Sequence, residues 1–175
     1  MKAKRNRIYL ASLDQPEILG QLNFFPHDPL HHSKVKQIRD FSRIDDLIQK
    51  KRTDFRQALA ISRFTSEAWE HDGFNYSLKK QDALTLLKLA ATGSSFSCLQ
   101  YASVFTQICQ SVGIPARVLQ IRTRYPDLGS TGQGHVTAEY FDNSYGKWIW
   151  MDPQTHAYAT FRGIYLSHNE FAELV

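Results

Sequence analysis

The chain has 175 residues, 42% of them hydrophobic and 22% charged, which is the balance of one globular domain with a substantial core. Its net charge of +4 is small, and four basic residues near the N-terminus, Lys2, Lys4, Arg5 and Arg7, have the pattern of a solvated tail. This charge argues against a nucleic-acid-binding protein, and no apolar run approaches the ~18 residues that a membrane span needs.

The N-terminus shows no secretory signal peptide, because its apolar run at residues 8–13 is short and is followed by Asp14. Two locations therefore stay open: the cytoplasm, or export of a protein whose leader is missing from this sequence. The oligomeric state is also open. So is the possibility that the chain is a piece of a longer protein, since residues 171–175 have the pattern of a helix start.

Residues 1–40 are predicted to form an irregular N-terminal extension, because Pro26 and Pro29 break the segment. Three histidines lie nearby, at positions 27, 31 and 32. Neither a cysteine nor a helical His-x-x-x-His pair accompanies them, so we expect a solvated loop rather than a metal site. We expect no metal and no other cofactor.

Four helices are predicted from apolar residues at helical spacing, over residues 45–51, 55–69, 82–91 and from Cys98 to a close at Gly113. Asp54 is expected to cap the second helix, and Ser95 or Ser97 the fourth. The fourth helix carries apolar residues on most of its sides, which is typical of a central, buried helix.

After Pro115 the pattern changes to the alternation of strands, which predicts strands over residues 117–124, 135–141 and 147–152 and is compatible with another within 158–165. The Gly- and Ser-rich segment 125–134 is either a lid over a site or a plain connector. Helices followed by antiparallel hairpins indicate one α+β domain over residues 1–175, with the helix of Cys98 packed on the sheet.

The two cysteines, Cys98 and Cys109, differ in their expected roles. On one helix they are roughly 16 Å apart, which is too far for a disulfide. Cys109 lies mid-helix and is expected to be a packing residue, as most cysteines on apolar helices are. Cys98 lies at the helix start, where free N–H groups and the helix dipole lower the pKa of a thiol.

Residues that could activate this thiol lie on the following strands. A thiolate nucleophile needs a base, and the base needs a group that orients it. A two-residue turn of Asn143 and Ser144 would place His135 directly opposite Asp152, with Cβ atoms about 5 Å apart. Alone, a strand histidine is more often a satisfied structural residue, and an Asp-Pro pair more often ends a strand. Together with Cys98, they favour a catalytic group of three.

Four short motifs carry a resemblance to a known family: CLQYA at residues 98–102, GIPAR at 113–117, GH at 134–135, and DP at 152–153. With Glu139 and Trp148, they resemble the transglutaminase-like domain of the papain-like cysteine-enzyme superfamily, over roughly residues 55–158. The resemblance implies a papain-like core. It also implies that Cys98 attacks an amide or ester carbonyl, that His135 transfers the proton, and that Asp152 orients the imidazole.

The resemblance suggests further site residues. The backbone N–H of Cys98 would stabilise an oxyanion, and the indole N–H of Trp69 is a candidate second donor; otherwise Trp69 is a helix-end aromatic packed on the core. Glu139 is a candidate cleft residue that either orients a polar neighbour or is solvated. A structural role is expected for Arg117, and Trp148 and Trp150 are expected to shield the site or fill the core.

The chain also departs from better-known members of that family. Leu99 stands where many transglutaminases have Trp, Thr137 stands where an aromatic residue often lies, and no acidic cluster suits calcium. The scaffold is similar to bacterial and archaeal thiol amidases and peptidases. We therefore expect acyl transfer from a peptide or protein amide, with hydrolysis favoured over crosslinking. The alternative is a non-catalytic module that binds a peptide or glycan on the same scaffold.

Overall fold

The computed structural model describes residues 32–75, 82–122 and 134–174, without the side chains of His32 and Arg122. The helices are α1 His32–Ser42, α2 Ile44–Ile48, α3 Asp54–Ser66, α4 Ala83–Ala90, α5 Cys98–Ser111 and α6 His168–Leu174. The strands are β1 Ala116–Arg122, β2 Gly134–Asp142, β3 Lys147–Asp152, β4 Ala157–Tyr158, β5 Thr160–Phe161 and β6 Ile164–Tyr165. None of the helices in these ranges is long and apolar enough to cross a membrane.

The strands form an antiparallel sheet in the order β1-β2-β3-β4, and β5 and β6 form a separate hairpin. Helix α5 packs on β1 and β2 and also contacts α3 and α4. Ten of its 14 residues are buried, including Tyr101, Phe105 and Ile108, so the prediction of a central helix is confirmed. The α+β prediction, with the helix of Cys98 on an antiparallel sheet, is confirmed as well.

The helix starts correct one detail of the predicted capping. Thr53 has extended backbone angles and its hydroxyl accepts from the N–H of Arg56 at 3.3 Å, so Thr53 caps α3. The prediction of Asp54 as the cap is wrong, because Asp54 is already helical. Its carboxylate instead accepts from the backbone and side-chain amides of Asn143 at 2.9 and 2.8 Å. The start of α3 is thereby tied to the turn between β2 and β3.

The N-terminal extension is shorter than predicted, since α1 covers residues 32–42. The apolar pattern of α1 is weak, because the residues that it buries are Ile38 and the small residue Ser42. The helix packs on α4 and α5. Tertiary contact therefore stabilises a helix that local periodicity does not reveal. His27 and His31 lie outside the described residues, as does nearly all of the predicted loop at 125–134.

Candidate active site

Cys98 is the first residue of α5, and the side chain of the residue before it does not cap the helix. Ser97 occupies the cap position, but its hydroxyl donates to the side-chain oxygen of Gln100 at 2.8 Å. The backbone N–H groups of Leu99 and of Val136 on β2 instead interact with the sulfur of Cys98 and favour its anionic form. The thiol is therefore held where a helix end and a neighbouring strand both present donors to it.

His135 on β2 and Asp152 at the end of β3 are in direct contact, with 2.9 Å between His135 Nε2 and Asp152 Oδ2. The His135 side chain is 36% exposed and that of Asp152 only 8%, so the imidazole is partly open to solvent and the carboxylate is buried. His135 also hydrogen-bonds Cys98. The structure thus brings the three predicted residues together.

The pairing of the two strands differs from the predicted one. Ala138 pairs with Met151, so Asp152 falls opposite Thr137, two residues from His135. The prediction that His135 lies directly opposite Asp152 is therefore wrong. A shift of two residues keeps both side chains on the same face, where diagonal neighbours remain within reach of long side chains. His135 and Asp152 are therefore in contact although the predicted register was wrong.

A four-residue turn, 143–146, causes the shift. The carboxylate of Asp142 accepts from the backbone N–H groups of Ser144 and Tyr145 at 2.9 and 3.2 Å, which stabilises the longer turn. Gly146 closes it with a φ of 61°, in the left-handed region that glycine enters without strain. A two-residue turn would forgo these contacts.

The electrostatics of the group favour a thiolate–imidazolium pair. The hydrogen bond from His135 lowers the pKa of Cys98 below its usual 9.0, although burial opposes the shift. Hydrogen bonds to Asp152 and then to Cys98 raise the pKa of His135 to about 10. Burial disfavours the Asp152 carboxylate, but hydrogen bonds from His135 and Thr155 outweigh it and leave its pKa below 3.8. Both shifts favour a negative sulfur and a positive imidazole over the neutral pair.

Cys109 behaves as the opposite kind of thiol. Its side chain is fully buried on α5, and burial raises its pKa well above 9.0. Both cysteines are free. The predicted separation of the two thiols, one at the site and one in the core, agrees with this difference in pKa.

Trp69 lies beside the start of α5 and is 8% exposed. Its ring packs on Phe96 and Tyr101, with centroids 5.5 and 4.5 Å away, and the Tyr101 hydroxyl donates to its backbone oxygen at 2.7 Å. The expectation of a core-packed aromatic is confirmed. Its indole Nε1 is nevertheless buried and has no hydrogen-bond partner within the described ranges. A buried donor without a partner is uncommon in folded proteins.

Glu139 lies in a separate polar cluster. Its carboxylate is 2% exposed, accepts from Arg117 at 2.6 and 3.0 Å, and accepts from the backbone N–H of His168 at 2.7 Å. Of the two expectations for Glu139, orientation of polar neighbours fits these contacts and a solvated carboxylate does not. Arg117 also lies over the ring of Trp148 at 4.1 Å. This cluster links β1 and β2 to the start of α6.

Trp150 has a structural role as well, since it stacks on Phe171 of α6 with centroids 5.2 Å apart. A groove of about 630 Å³ between α2 and α3 is lined by Lys51, Arg56 and Phe64 among others. Cys98, His135 and Asp152 are not among its lining residues, so it is separate from the candidate site. Within the described ranges, no group of three His, Cys, Asp or Glu residues could hold a metal ion.

Two residues of the site escaped the sequence analysis. The N–H of Gln154 donates to Asp152 Oδ1 at 3.0 Å, and the hydroxyl of Thr155 donates to Asp152 Oδ2 at 2.9 Å. The signal was present in the segment DPQT, because an aspartate that opens a turn accepts from groups two and three residues later. These contacts join the turn after β3 to the carboxylate.

Three solved structures share the fold. A candidate cysteine protease from Cytophaga hutchinsonii is 15% identical with a TM-score of 0.53, over 74% of this chain and 43% of that one. A structure described as a TGase is 11% identical with a TM-score of 0.52, over 87% of this chain and 40% of that one. The periplasmic domain of TgpA from Pseudomonas aeruginosa, bound to ethylmercury, is 19% identical with a TM-score of 0.50, over 85% and 53%.

The chain spans about half the length of these structures or less, and at these identities the likeness establishes the fold alone. No curated protein matches the sequence. The family described as the transglutaminase-like superfamily matches residues 42–153, which is well over half of the chain. The matched range contains the helix that begins at Cys98 and the strands β2 and β3, which carry His135 and Asp152. The chain therefore belongs to the transglutaminase-like superfamily.

Proposed function

We propose that this protein is a thiol-dependent acyl-transfer enzyme that acts on amide bonds through Cys98, His135 and Asp152. One observation carries the proposal: Cys98, at the start of α5, hydrogen-bonds His135, and Nε2 of His135 lies 2.9 Å from Oδ2 of Asp152. A nucleophile, a base and an orienting carboxylate in contact are the parts that nucleophilic acyl transfer requires.

In the first half of the reaction, the thiolate of Cys98 attacks the carbonyl carbon of the amide. The carbonyl oxygen becomes negative, and the backbone N–H of Cys98 is the proposed donor that stabilises it. The indole N–H of Trp69 has no hydrogen-bond partner among the described residues, and its ring packs on Phe96 just before α5, so it is the candidate for a second donor. Collapse of this intermediate breaks the C–N bond, His135 gives its proton to the leaving amine, and a thioester on Cys98 remains.

In the second half, neutral His135 removes a proton from water, and the resulting hydroxide attacks the thioester carbonyl. The C–S bond breaks, the carboxylic acid leaves, and the proton on His135 again faces a thiolate. Asp152 holds the imidazole orientation in both halves and stabilises its positive form. Hydrolysis is proposed over transamidation, because no described feature marks a site for an amine acceptor.

The proposal is tested by the reaction of iodoacetamide with Cys98 and Cys109 at pH 6, followed by peptide mass spectrometry. Cys98 is expected to react much faster than Cys109 and faster than it does in the unfolded chain, because only the activated thiol is anionic at this pH. Cys98→Ala should lose the fast reaction, and the matched Cys109→Ala should keep it. Equal and slow alkylation of both thiols would contradict an activated nucleophile and favour a binding module on the same scaffold.

Turnover is tested with casein peptides, by following new amino termini and released ammonia. The wild-type protein should yield products that Cys98→Ala does not. If Cys98 alkylates rapidly while no amide is cleaved in any peptide, the thiol is activated but the proposed reaction on amides is wrong.

A further inference from the structure

We infer that Thr155 is a positioning residue: its hydroxyl, together with the N–H of Gln154, fixes the Asp152 carboxylate in the rotation that engages His135. The inference rests on the proposed function, since it concerns how the proposed orienting carboxylate is itself held. Thr155 would act through Asp152 and would not touch the substrate.

The carboxylate of Asp152 accepts three hydrogen bonds, and they are divided between its two oxygens. Oδ1 accepts from the N–H of Gln154 at 3.0 Å. Oδ2 accepts from the hydroxyl of Thr155 at 2.9 Å and meets Nε2 of His135 at 2.9 Å. The terminal torsion of an aspartate is broad and roughly two-fold, so one donor at Oδ1 alone leaves the carboxylate some freedom to rotate. The hydroxyl at Oδ2 removes that freedom.

Thr155 is a fixed donor because the turn that carries it is closed at both ends. Asp152 and Ala157 are paired across β3 and β4, so only residues 153–156 separate them. His156 takes a φ of 53°, an uncommon value for a residue other than glycine, and its Nδ1 lies 3.1 Å from the hydroxyl of Ser62. Ser62 is fully buried on α3. The turn is thus anchored to the sheet and to the helix behind it.

The hydroxyl of Thr155 has a second, opposite effect on the site. By donating to Oδ2 it draws negative charge away from the oxygen that stabilises the imidazolium of His135. If charge withdrawal dominated, loss of the hydroxyl would raise the pKa of His135 and lower that of Cys98. If positioning dominates, as inferred, loss of the hydroxyl lowers the pKa of His135 and raises that of Cys98. The sign of the shift separates the two effects.

The experiment compares Thr155→Val, which keeps the shape and removes the donor, with Thr155→Ser, which keeps the donor. Thr160→Val is the matched control, because Thr160 is exposed on β5. The alkylation rate of Cys98 is measured from pH 5 to 10, and His135 is titrated by nitrogen-15 NMR. We expect Thr155→Val to raise the apparent pKa of Cys98 by about 0.5 to 1 unit, lower the pKa of His135, and reduce kcat on casein peptides about 5-fold with KM unchanged. Thr155→Ser and Thr160→Val should match the wild type.

Unchanged profiles in Thr155→Val, or a shift of opposite sign, would overturn the positioning role while the proposed function stands on the wild-type reactivity of Cys98. If wild-type Cys98 itself shows no fast reaction at pH 6, the proposed function and this inference fail together. Urea unfolding of each variant identifies any loss that comes from misfolding, and a Thr155→Ser protein that folds but behaves like Thr155→Val would also count against the role.

Discussion

Replacement of Asp152 with asparagine is expected to remove most of the activation of Cys98 while it preserves the shape of the site. The pKa of His135 is raised from 6.5 to about 10, first by Asp152 and then by Cys98. Asparagine keeps the size of the side chain and an oxygen acceptor but loses the negative charge. The imidazolium would therefore lose its main partner, and the thiolate that depends on this imidazolium would be disfavoured.

The expected loss of Cys98 reactivity can be worked out from the shift in the pKa of His135. Each unit of pKa is a tenfold change in the ratio of imidazolium to imidazole, so the full shift would correspond to roughly a thousandfold or more. Cys98 accounts for part of it, and the His135 side chain is 36% exposed, so solvent screens the Asp152 charge. We therefore expect alkylation of Cys98 at pH 6 to slow by roughly 10- to 100-fold in Asp152→Asn.

The assay is the second-order rate constant of iodoacetamide with Cys98 from pH 5 to 9, with Cys109 as the internal reference in the same digest. Asp46→Asn is the control, because Asp46 is an exposed acid paired with Arg43 on α2. The acid limb of the rate profile should move to higher pH in Asp152→Asn and stay at the wild-type pH in the control. Superimposable profiles for Asp152→Asn and the wild type would refute the reasoning that Asp152 sets the charge of the pair.

Three further predictions concern stability. In Cys98→Ala, His135 keeps Asp152 as its partner, so the pKa of His135 in the folded protein stays above its unfolded value of about 6.5. The urea midpoint of this variant should therefore be highest below about pH 6.5 and should fall as the pH rises through the folded pKa. On the acid side, the contribution of Asp152 should be lost as pH falls below about 4 through its lower folded pKa, and a midpoint that does not change over these ranges would contradict both assignments. Glu139→Gln should lower the free energy of unfolding in urea by about 1 to 3 kcal/mol, because Glu139 is buried while its partner Arg117 is partly exposed. It should leave the alkylation profile of Cys98 unchanged, and a shifted profile would place Glu139 in the site.

Much of the site could be predicted because it depends on local pattern and parity. Cys98 follows a polar stretch and begins an apolar helix, and β3 was predicted with the observed bounds, 147–152. To predict that His135 and Asp152 meet, it was enough to place both side chains on the same face of the sheet. Any shift of the strand register by an even number of residues preserves that face. The α+β class followed from the order of helices and hairpins.

The remaining features depend on contacts between distant residues. The turn length is set by the Asp142 carboxylate, and α1 is stabilised by packing that its own sequence pattern does not reveal. Glu139 shares a face with His135 along the strand, but a guanidinium from β1 and a helix start from α6 draw its carboxylate into an ion pair. Side-chain partners of this kind depend on tertiary geometry, which periodicity does not encode.

The most direct test of acyl transfer is the acyl-enzyme itself. The protein is mixed with p-nitrophenyl acetate at pH 7, quenched in acid at successive times, and digested for mass spectrometry. One acetyl group should appear on the peptide that contains Cys98 and then disappear as water hydrolyses the thioester, and Cys98→Ala should show neither event. An acetyl group that never forms on Cys98, or that forms equally on Cys109, would contradict the central claim.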